Sequence, residues 1–246
     1  MKLIIHGYTG RMGQAVVLMA QQGFRGAETA AKVSPDCVEE KNGCYTALEH
    51  FDGEADCIID FSNHTATKEL LEYAVKREIP VILATTGQTT EEVEMINKAA
   101  EKIAIFRSAN MSIGIALLAS LAKKTAEAFP NADIEIIETH HNQKLDVPSG
   151  TALLLGRKIK EARKNAELII GRHENGKRAK NEIGIHSIRL GNEVGTHEII
   201  ISTGSETITL KHKAENRALF AEGALAAAEF ICGKTAGLYD MRNIVG

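Results

Sequence analysis

The sequence lacks what would take it to a membrane, to nucleic acid or into an oxidising compartment. Its longest apolar run, "IGIALLASLA", is too short to span a bilayer. The opening "MKLIIHGYTGRMG" holds an apolar stretch too short for a signal peptide and broken by glycines. There is no basic excess: 29 Lys and Arg against 32 Asp and Glu leave a formal net charge of -3. Nucleic-acid-binding domains are usually strongly basic with clustered charge. The four cysteines, Cys37, Cys44, Cys57 and Cys232, show no C-x-x-C spacing and read as reduced thiols. No internal repeat or low-complexity linker is present. These absences leave a cytoplasmic enzyme or sensor, with no nucleic acid and no membrane among its expected partners.

What is present is ordinary globular material. The 246 residues are 44% hydrophobic and 25% charged, enough for one large domain or two modest ones. "KLIIHG" reads as a buried strand ending in glycine. The helix that follows has Met12, Ala15, Val16 and Met19 at helical spacing, and Gly23 closes it. "AETAAKV", "ADCIIDFS", "IPVILATTG" and "IAIFRSAN" read as further strands. "TATKELLEYAVKRE" and "TEEVEMINKAAEK" read as helices between them. Strands alternating with helices at this spacing predict a parallel sheet covered on both faces. The pattern changes near Asn110. A long helix, "SIGIALLASLAKKTAEAF", leads to "ADIEIIETHH", whose alternation predicts a sheet with one wet face. A helix after Ser149, the strand "IGIHSIRLG" and the hairpin "THEIIIST"–"TITLKHK" predict a second, mixed or antiparallel sheet. The helix "RALFAEGALAAAEFI" and the tail "GLYDMRNIVG" end the chain.

Two stretches carry chemistry. Gly7, Gly10 and Gly13 sit at the first strand-to-helix turn. There glycine lets the backbone approach a pyrophosphate, and the helix N-terminus offers free N–H groups. The spacing is G-x-x-G-x-x-G rather than G-x-G-x-x-G. An acid about 20 residues further on would bind the adenosine ribose hydroxyls. Here Lys32, Val33 and Ser34 stand in that region, and the first acid is Asp36, beyond a proline. Without an acid at the strand end a 2′-phosphate is not repelled, and Arg11 or Lys32 could pair with it. The second stretch is "ETHHNQKLDVPSGTA". His140 and His141 end a strand, so their side chains diverge. Lys144 and Asp146 lie in a loop before Pro148. Ser149 can cap the next helix, where Gly150 and Thr151 present free N–H groups. A histidine can pass protons, and a lysine beside a helix N-terminus can hold a carboxylate. His140, His141 and Asp146 are possible metal-ligand types, but the histidines diverge and no third ligand stands at a supporting spacing, so no metal is expected.

"ETHHNQKLDVPSGTAL" resembles the E-x-H-H-x-x-K-x-D-x-P-S-G-T-A signature of the 4-hydroxy-tetrahydrodipicolinate reductase family, also called dihydrodipicolinate reductases. The resemblance extends along the whole chain. "GYTGRMGQ" is similar to the family's nucleotide turn, "DFSNH" to its D-F-[ST] strand end and "ATTG" to its G-T-T-G loop. "SANMSIG" resembles its A-P-N-F-S-x-G hinge, "IRLGNEVGTH" its substrate-domain hairpin and "GLYDM" its C-terminal ending. Ala84, Ala109 and Met111 depart from the family's glycine, proline and phenylalanine. Ser34 stands where many members carry an acid.

The resemblance implies a Rossmann-like parallel sheet plus a second α+β domain with a mixed sheet. Residues 1–109 would bind the dinucleotide. Residues 110–216 would bind substrate and form a homotetramer, and residues 217–246 would return to the first domain. It implies hydride transfer from NADPH or NADH to a cyclic dicarboxylate imine, giving tetrahydrodipicolinate in lysine and diaminopimelate biosynthesis. His140 would donate the proton and Lys144 would bind a substrate carboxylate. His141, Ser149, Gly150 and Thr151 would hold the substrate. The cofactor would meet Gly7, Thr9, Gly10, Arg11, Met12, Gly13, Lys32, Ser34 and Phe61. It would also meet Ala84, Thr85, Thr86, Ser108, Ala109, Asn110 and Met111. Two rivals stand beside this reading. Another nicotinamide-dependent oxidoreductase, such as a phosphorylating aldehyde dehydrogenase, needs an activated cysteine. A non-enzymatic NAD(P)-binding redox sensor needs the glycine turn but not the cluster from His140 to Thr151.

Overall fold

The computed structural model describes residues 1–38 and 41–246. Its first stretch runs β1 (Lys2–His6), α1 (Arg11–Gln21), β2 (Glu28–Val33), β3 (Cys44–Tyr45), β4 (Cys57–Asp60), α2 (Thr67–Arg77), β5 (Val81–Leu83), α3 (Thr90–Ala100) and β6 (Ala104–Arg107). The strands β4 and β5 are buried throughout. That follows from their unbroken apolar runs, which fit a parallel strand covered on both faces. The helix α3 starts at a reciprocal cap: the Glu92 N–H donates to Thr89 Oγ1 (3.2 Å), and the Thr89 N–H donates to Glu92 Oε2 (2.7 Å).

The middle of the chain runs α4 (Ile113–Ala128), β7 (Asp133–His140), α5 (Gly150–Ala162), β8 (Glu167–Ile170), β9 (Glu182–Arg189), β10 (Gly195–Ser202) and β11 (Thr207–Ala214). These five strands form a mixed sheet in the order β11-β10-β7-β9-β8. The β7 strand is antiparallel to β10 and parallel to β9. Its residues alternate in burial, with Ile134, Ile136, Glu138 and His140 inward. The inward isoleucines pack with Leu118, Ala122, Leu155 and Ile159 of α4 and α5.

The chain then adds α6 (Ala218–Ile231) and β12 (Gly237–Tyr239). Strand β12 pairs with β6 and completes a seven-stranded sheet, order β12-β6-β5-β4-β1-β2-β3, parallel throughout. Two compact units result. One holds Met1–Ser112 with Ala218–Ile244, and the other holds Ile113–Arg217. The strand order of the first unit reverses at β1 and β4. In an open α/β sheet the crevice beyond the strand ends at this point is where a ligand binds.

The expected Rossmann-like sheet and mixed sheet are both present. Three short strands, β3, β8 and β12, have no counterpart in the sequence reading, because two to four residues carry too little periodicity. The inner face of α1 also differs. Gly13, Val16 and Ala20 are its buried residues, rather than Met12, Ala15 and Met19. The smaller face lets the helix sit against its own entry turn: a Cβ at Gly13 would stand 2.4 Å from the Gly7 carbonyl oxygen.

Candidate active site

The glycine turn lies beyond the end of β1. Gly7 has φ +78° and Gly10 is the N-cap of α1. No side chain caps this helix, which leaves its first N–H groups available to a ligand. A Cβ at Gly7 would be 2.7 Å from the Phe61 carbonyl carbon, so the loops after β1 and β4 touch backbone to backbone. Thr9 Oγ1 is 2.8 Å from Ser34 Oγ, which is buried at the end of β2. Asp36 folds back to the same place: its N–H donates to Ser34 Oγ (3.3 Å), and its carboxylate accepts from Thr9 Oγ1 (3.4 Å). Arg11 is exposed and Met12 half-buried. The Lys32 ammonium lies 5.9 Å from the Tyr8 ring centroid.

Asp60, 2% exposed, ties the neighbouring loops together. It accepts from Ser62 Oγ (2.5 Å) and Thr85 Oγ1 (2.6 Å), and His6 Nδ1 lies 2.9 Å away. The Ala84 N–H donates to the Asp60 carbonyl (3.1 Å). A cavity of about 360 Å³ opens next to this loop. Its walls bring together the expected Thr85, Thr86, Ser108 and Ala109, and add Gln88, Arg107 and Tyr239. Arg107 donates to Gln88 Oε1 (3.3 Å). Asn110 is half-buried, and Met111 is buried with its carbonyl against Gly223.

The second unit gathers the histidine stretch. His140 is buried and His141 half-buried, as divergent neighbours on β7 should be. Burial, with Arg217, His140, Lys144 and Arg189 nearby, holds the His141 imidazole below its ordinary proton affinity. His140 Nδ1 meets Glu138 Oε2 at 2.5 Å. Arg189 grips both Glu138 oxygens, Nη1 to Oε2 at 3.0 Å and Nη2 to Oε1 at 2.9 Å. The Ser149 N–H donates to Glu138 Oε1 (3.2 Å). Burial raises the Glu138 carboxyl, but the His140 and Arg189 bonds outweigh it and hold the group well below the carboxylate range. Lys144 Nζ pairs with Asp146 at 2.8 Å.

The Ser149 hydroxyl is buried and occupied. It accepts from the Ala152 N–H (3.1 Å) as the cap of α5 and meets His197 Nε2 at 3.2 Å. Gly150 is exposed and Thr151 half-buried at the start of the same helix.

His197, on β10, is 4% exposed, and its ring lies edge-on to His140 with centroids 5.2 Å apart. Burial, with His140 beside it, lowers its proton affinity to about 3 from the ordinary 6.5. As pH falls, the unfolded chain therefore takes up this proton first. The stability that neutral His197 contributes is complete above about pH 6.5 and is lost as pH falls toward about 3. Glu138 adds a loss of the same sign only below its ordinary 4.5. Denaturation of a His197→Asn protein should thus show a shallower slope of stability against pH between 4.5 and 6.5. An unchanged slope would remove His197 from that limb.

The sequence reading did not single out Glu138, Arg189, His197, Gln88 or Arg107. Glu138 sits two residues before His140 on an alternating strand, a signal of a shared face. Arg189 and His197 lie within the matched stretch "IRLGNEVGTH", which gave neither a role, and Gln88 and Arg107 have no local signature. The cysteine chemistry of the aldehyde dehydrogenase rival has no support here. All four thiols lie in the first unit; burial pushes Cys57 far above the ordinary thiol range and raises Cys232. Burial acts on Cys44 too, but hydrogen bonds to Tyr8 and Lys32 outweigh it and lower that thiol, which has no histidine among these partners. Among the described residues no three His, Cys, Asp or Glu side chains gather to hold a metal ion. No described helix is long and apolar enough to cross a membrane.

A Rossmann-like sheet with a glycine turn at its switch point, followed by a mixed sheet bearing a buried Glu–His–Arg cluster, defines a two-unit oxidoreductase. The comparisons sharpen that class. Residues 1–111 match the family model for dihydrodipicolinate reductase, N-terminus, and residues 114–245 the model for its C-terminus. The chain belongs to the dihydrodipicolinate reductase family. It is 43% identical over 246 residues to the 4-hydroxy-tetrahydrodipicolinate reductase of Caldanaerobacter subterraneus subsp. tengcongensis, covering 99% of this chain and 98% of the relative. It is 42% identical over 250 residues to that of Clostridium novyi, with the same coverage. Among solved structures it resembles a dipicolinate-bound dihydrodipicolinate reductase from Paenisporosarcina sp. TG-14. The TM-score is 0.84 at 26% identity, over 99% of this chain and 98% of that one.

Proposed function

We propose that the chain reduces 4-hydroxy-tetrahydrodipicolinate, by way of the cyclic dihydrodipicolinate imine, to tetrahydrodipicolinate. The names of its relatives supply the substrate, and lysine and diaminopimelate biosynthesis follows from them. The observation that carries the reading is His140: a buried imidazole with Nδ1 tied to a carboxylate that also accepts from the Ser149 N–H at the start of α5. The first unit is the dinucleotide-binding domain. The second binds substrate and forms a homotetramer in the cytoplasm. Ile137 and Ile200 lie on the face of the five-stranded sheet opposite its buried isoleucines, which suits packing against another copy.

The glycine turn fits a dinucleotide. Gly7 and Gly13, where a Cβ would meet backbone atoms of Phe61, Gly7 and Tyr8, let the turn and α1 close on one another, and α1 points its uncapped N-terminus out of that turn. A reduced nicotinamide, when bound, supplies the hydride. Thr85 and Thr86 hold the nicotinamide side, with Thr85 fixed by Asp60. Hydride arriving at a ring carbon leaves electron density on the conjugated imine. His140, as the imidazolium, answers it by giving the proton on Nε2, the ring nitrogen not engaged by Glu138, and is left neutral with its Nδ1–H on Glu138. Lys144 exchanges its Asp146 partner for a substrate carboxylate. His141, Gly150 and Thr151 complete the grip, and Ser149 shapes it by capping α5.

NADPH should bind at least as well as NADH. The residue at the end of β2 is Ser34 rather than an acid, and although the Asp36 carboxylate reaches Thr9 beside it, Arg11 is exposed at the glycine turn to pair with a 2′-phosphate. Arg11→Ala should weaken NADPH more than NADH. Titration showing NADH bound tenfold tighter by the native protein would overturn this preference.

The carboxylate grip makes a sharper prediction. The first N–H groups of α5 have no partner within the helix, and a helix N-terminus adds about 0.3–2 kcal/mol for an anion. Pyridine-2,6-dicarboxylate should compete with substrate, and pyridine-2-carboxylate should bind clearly more weakly. Thr151→Val should cost the diacid about 1–3 kcal/mol, the value of a hydrogen bond to a buried charged oxygen. Calorimetry tests both. Equal affinity for the two acids, or a Thr151→Val protein that binds the diacid normally, would place the carboxylates elsewhere.

A further inference from the structure

We propose that Glu138, held by Arg189, is a positioning residue for the reduction: its carboxylate fixes the tautomer and orientation of His140 and the start of α5 together. The inference rests on the reading of His140 as proton donor.

The placement begins with strand geometry. Glu138 and His140 are two residues apart on β7 and share its inward face. Glu138 is fully buried, and an unpaired carboxylate there would be costly. Four donors on its two oxygens remove that cost. Oε2 accepts from His140 Nδ1 (2.5 Å) and Arg189 Nη1 (3.0 Å). Oε1 accepts from Arg189 Nη2 (2.9 Å) and the Ser149 N–H (3.2 Å). Arg189 is itself anchored on the carbonyls of Asp146 (2.7 Å) and Ile188 (2.8 Å). One carboxylate thus joins the proton-donor ring, the first residue of the helix that meets the substrate, and the loop carrying Lys144.

The direction of the His140 bond follows from the pair. A carboxylate held in its charged form by Arg189 only accepts, so Nδ1 keeps the proton it shares; the proton given away is the second one, on Nε2 of the imidazolium, and the ring is left as the Nδ1–H tautomer. The facing strand leaves room for the ring: a Cβ at Gly195 would stand 3.0 Å from Nε2. The same logic orients the base in nucleophilic triads, where a third group fixes the imidazole.

Glu138→Gln puts an amide where Arg189 needs two acceptors, so an NH2 group must oppose a donor. Turnover should fall by about 10²- to 10⁴-fold, the range of general acid help, while NADPH affinity is unchanged. The ¹⁵N signals of the His140 side chain should lose the Nδ1–H tautomer pattern of the native protein. Glu138→Asp should recover that pattern and part of the turnover. If Glu138→Gln does not fold, Arg189→Lys serves: it removes the two-donor grip on the Glu138 carboxylate and should lower turnover with native NADPH binding. Native turnover in Glu138→Gln, or in Arg189→Lys where that variant is used, overturns the proposal. So does lost turnover with an unaltered His140 tautomer. A His140→Gln control separates the two readings. Native turnover there sinks the proton-donor assignment itself. A slow His140→Gln beside a native Glu138→Gln sinks only the positioning role.

Discussion

Substitution of His140 by glutamine is expected to cut turnover by about 10²- to 10⁴-fold and to leave NADPH affinity unchanged. The size of the effect follows from the chemistry. A proton donor set at the reacting atom is worth that range, and nothing adjacent takes over. His197 lies edge-on to His140 at 5.2 Å but stays neutral to about pH 3, so it has no proton to give near neutrality. His141 diverges from His140 along β7. Lys144 is positioned by its charge, paired with Asp146 in the absence of substrate. Nucleotide affinity should not change, because the glycine turn, Ser34 and Thr85 all belong to the other unit. Steady-state turnover and NADPH titration on the same preparation check both halves. Native turnover in the variant would take histidine out of the proton-donor role.

Gly13→Ala is expected to cost nucleotide binding heavily. The added Cβ would meet the Gly7 carbonyl oxygen at 2.4 Å and Tyr8 Cα at 2.6 Å. These are backbone atoms and cannot swing aside as a side chain could. Helix α1 must lift from its own entry turn, and overpacking of this kind costs about 1–3 kcal/mol. The same movement spoils the cradle, in which the helix N-terminus and the turn must face one phosphate group together. Affinity for NADPH and NADH should both fall by about 10- to 100-fold, at 1.4 kcal/mol for each power of ten. Pyridine-2,6-dicarboxylate should bind as before. Calorimetry with all three ligands checks the pattern. Native nucleotide affinity in Gly13→Ala would move the phosphates away from this turn.

Much of this architecture was legible in the chain because it is written locally. The alternation of "ADIEIIETHH" announces a sheet with one covered face, and β7 has it. Unbroken apolar runs announce strands covered on both faces, and β4 and β5 have them. The motif "ETHHNQKLDVPSGTAL" was enough to name the family. What stayed hidden is non-local. Arg189 lies 51 residues from Glu138 in sequence, and His197 lies 48 from Ser149. Only the pairing of β7 with β9 and β10 brings these residues to one site. The buried face of α1 was misread for a related reason. Hydrophobic spacing favours the large Met12 and Met19, whereas the close approach of helix to turn demands Gly13. Strand β12 was hidden because a three-residue edge strand is defined by its partner β6, not by its own composition.

Hydride transfer to a cyclic dicarboxylate imine, with His140 supplying the proton, is measured by following the absorbance of NADPH with freshly generated 4-hydroxy-tetrahydrodipicolinate, native protein and His140→Gln side by side. Loss of NADPH should be rapid with the native protein, dependent on the heterocycle and blocked by pyridine-2,6-dicarboxylate, and slower by powers of ten with the variant. No heterocycle-dependent loss of NADPH or NADH with folded, nucleotide-binding native protein would contradict it.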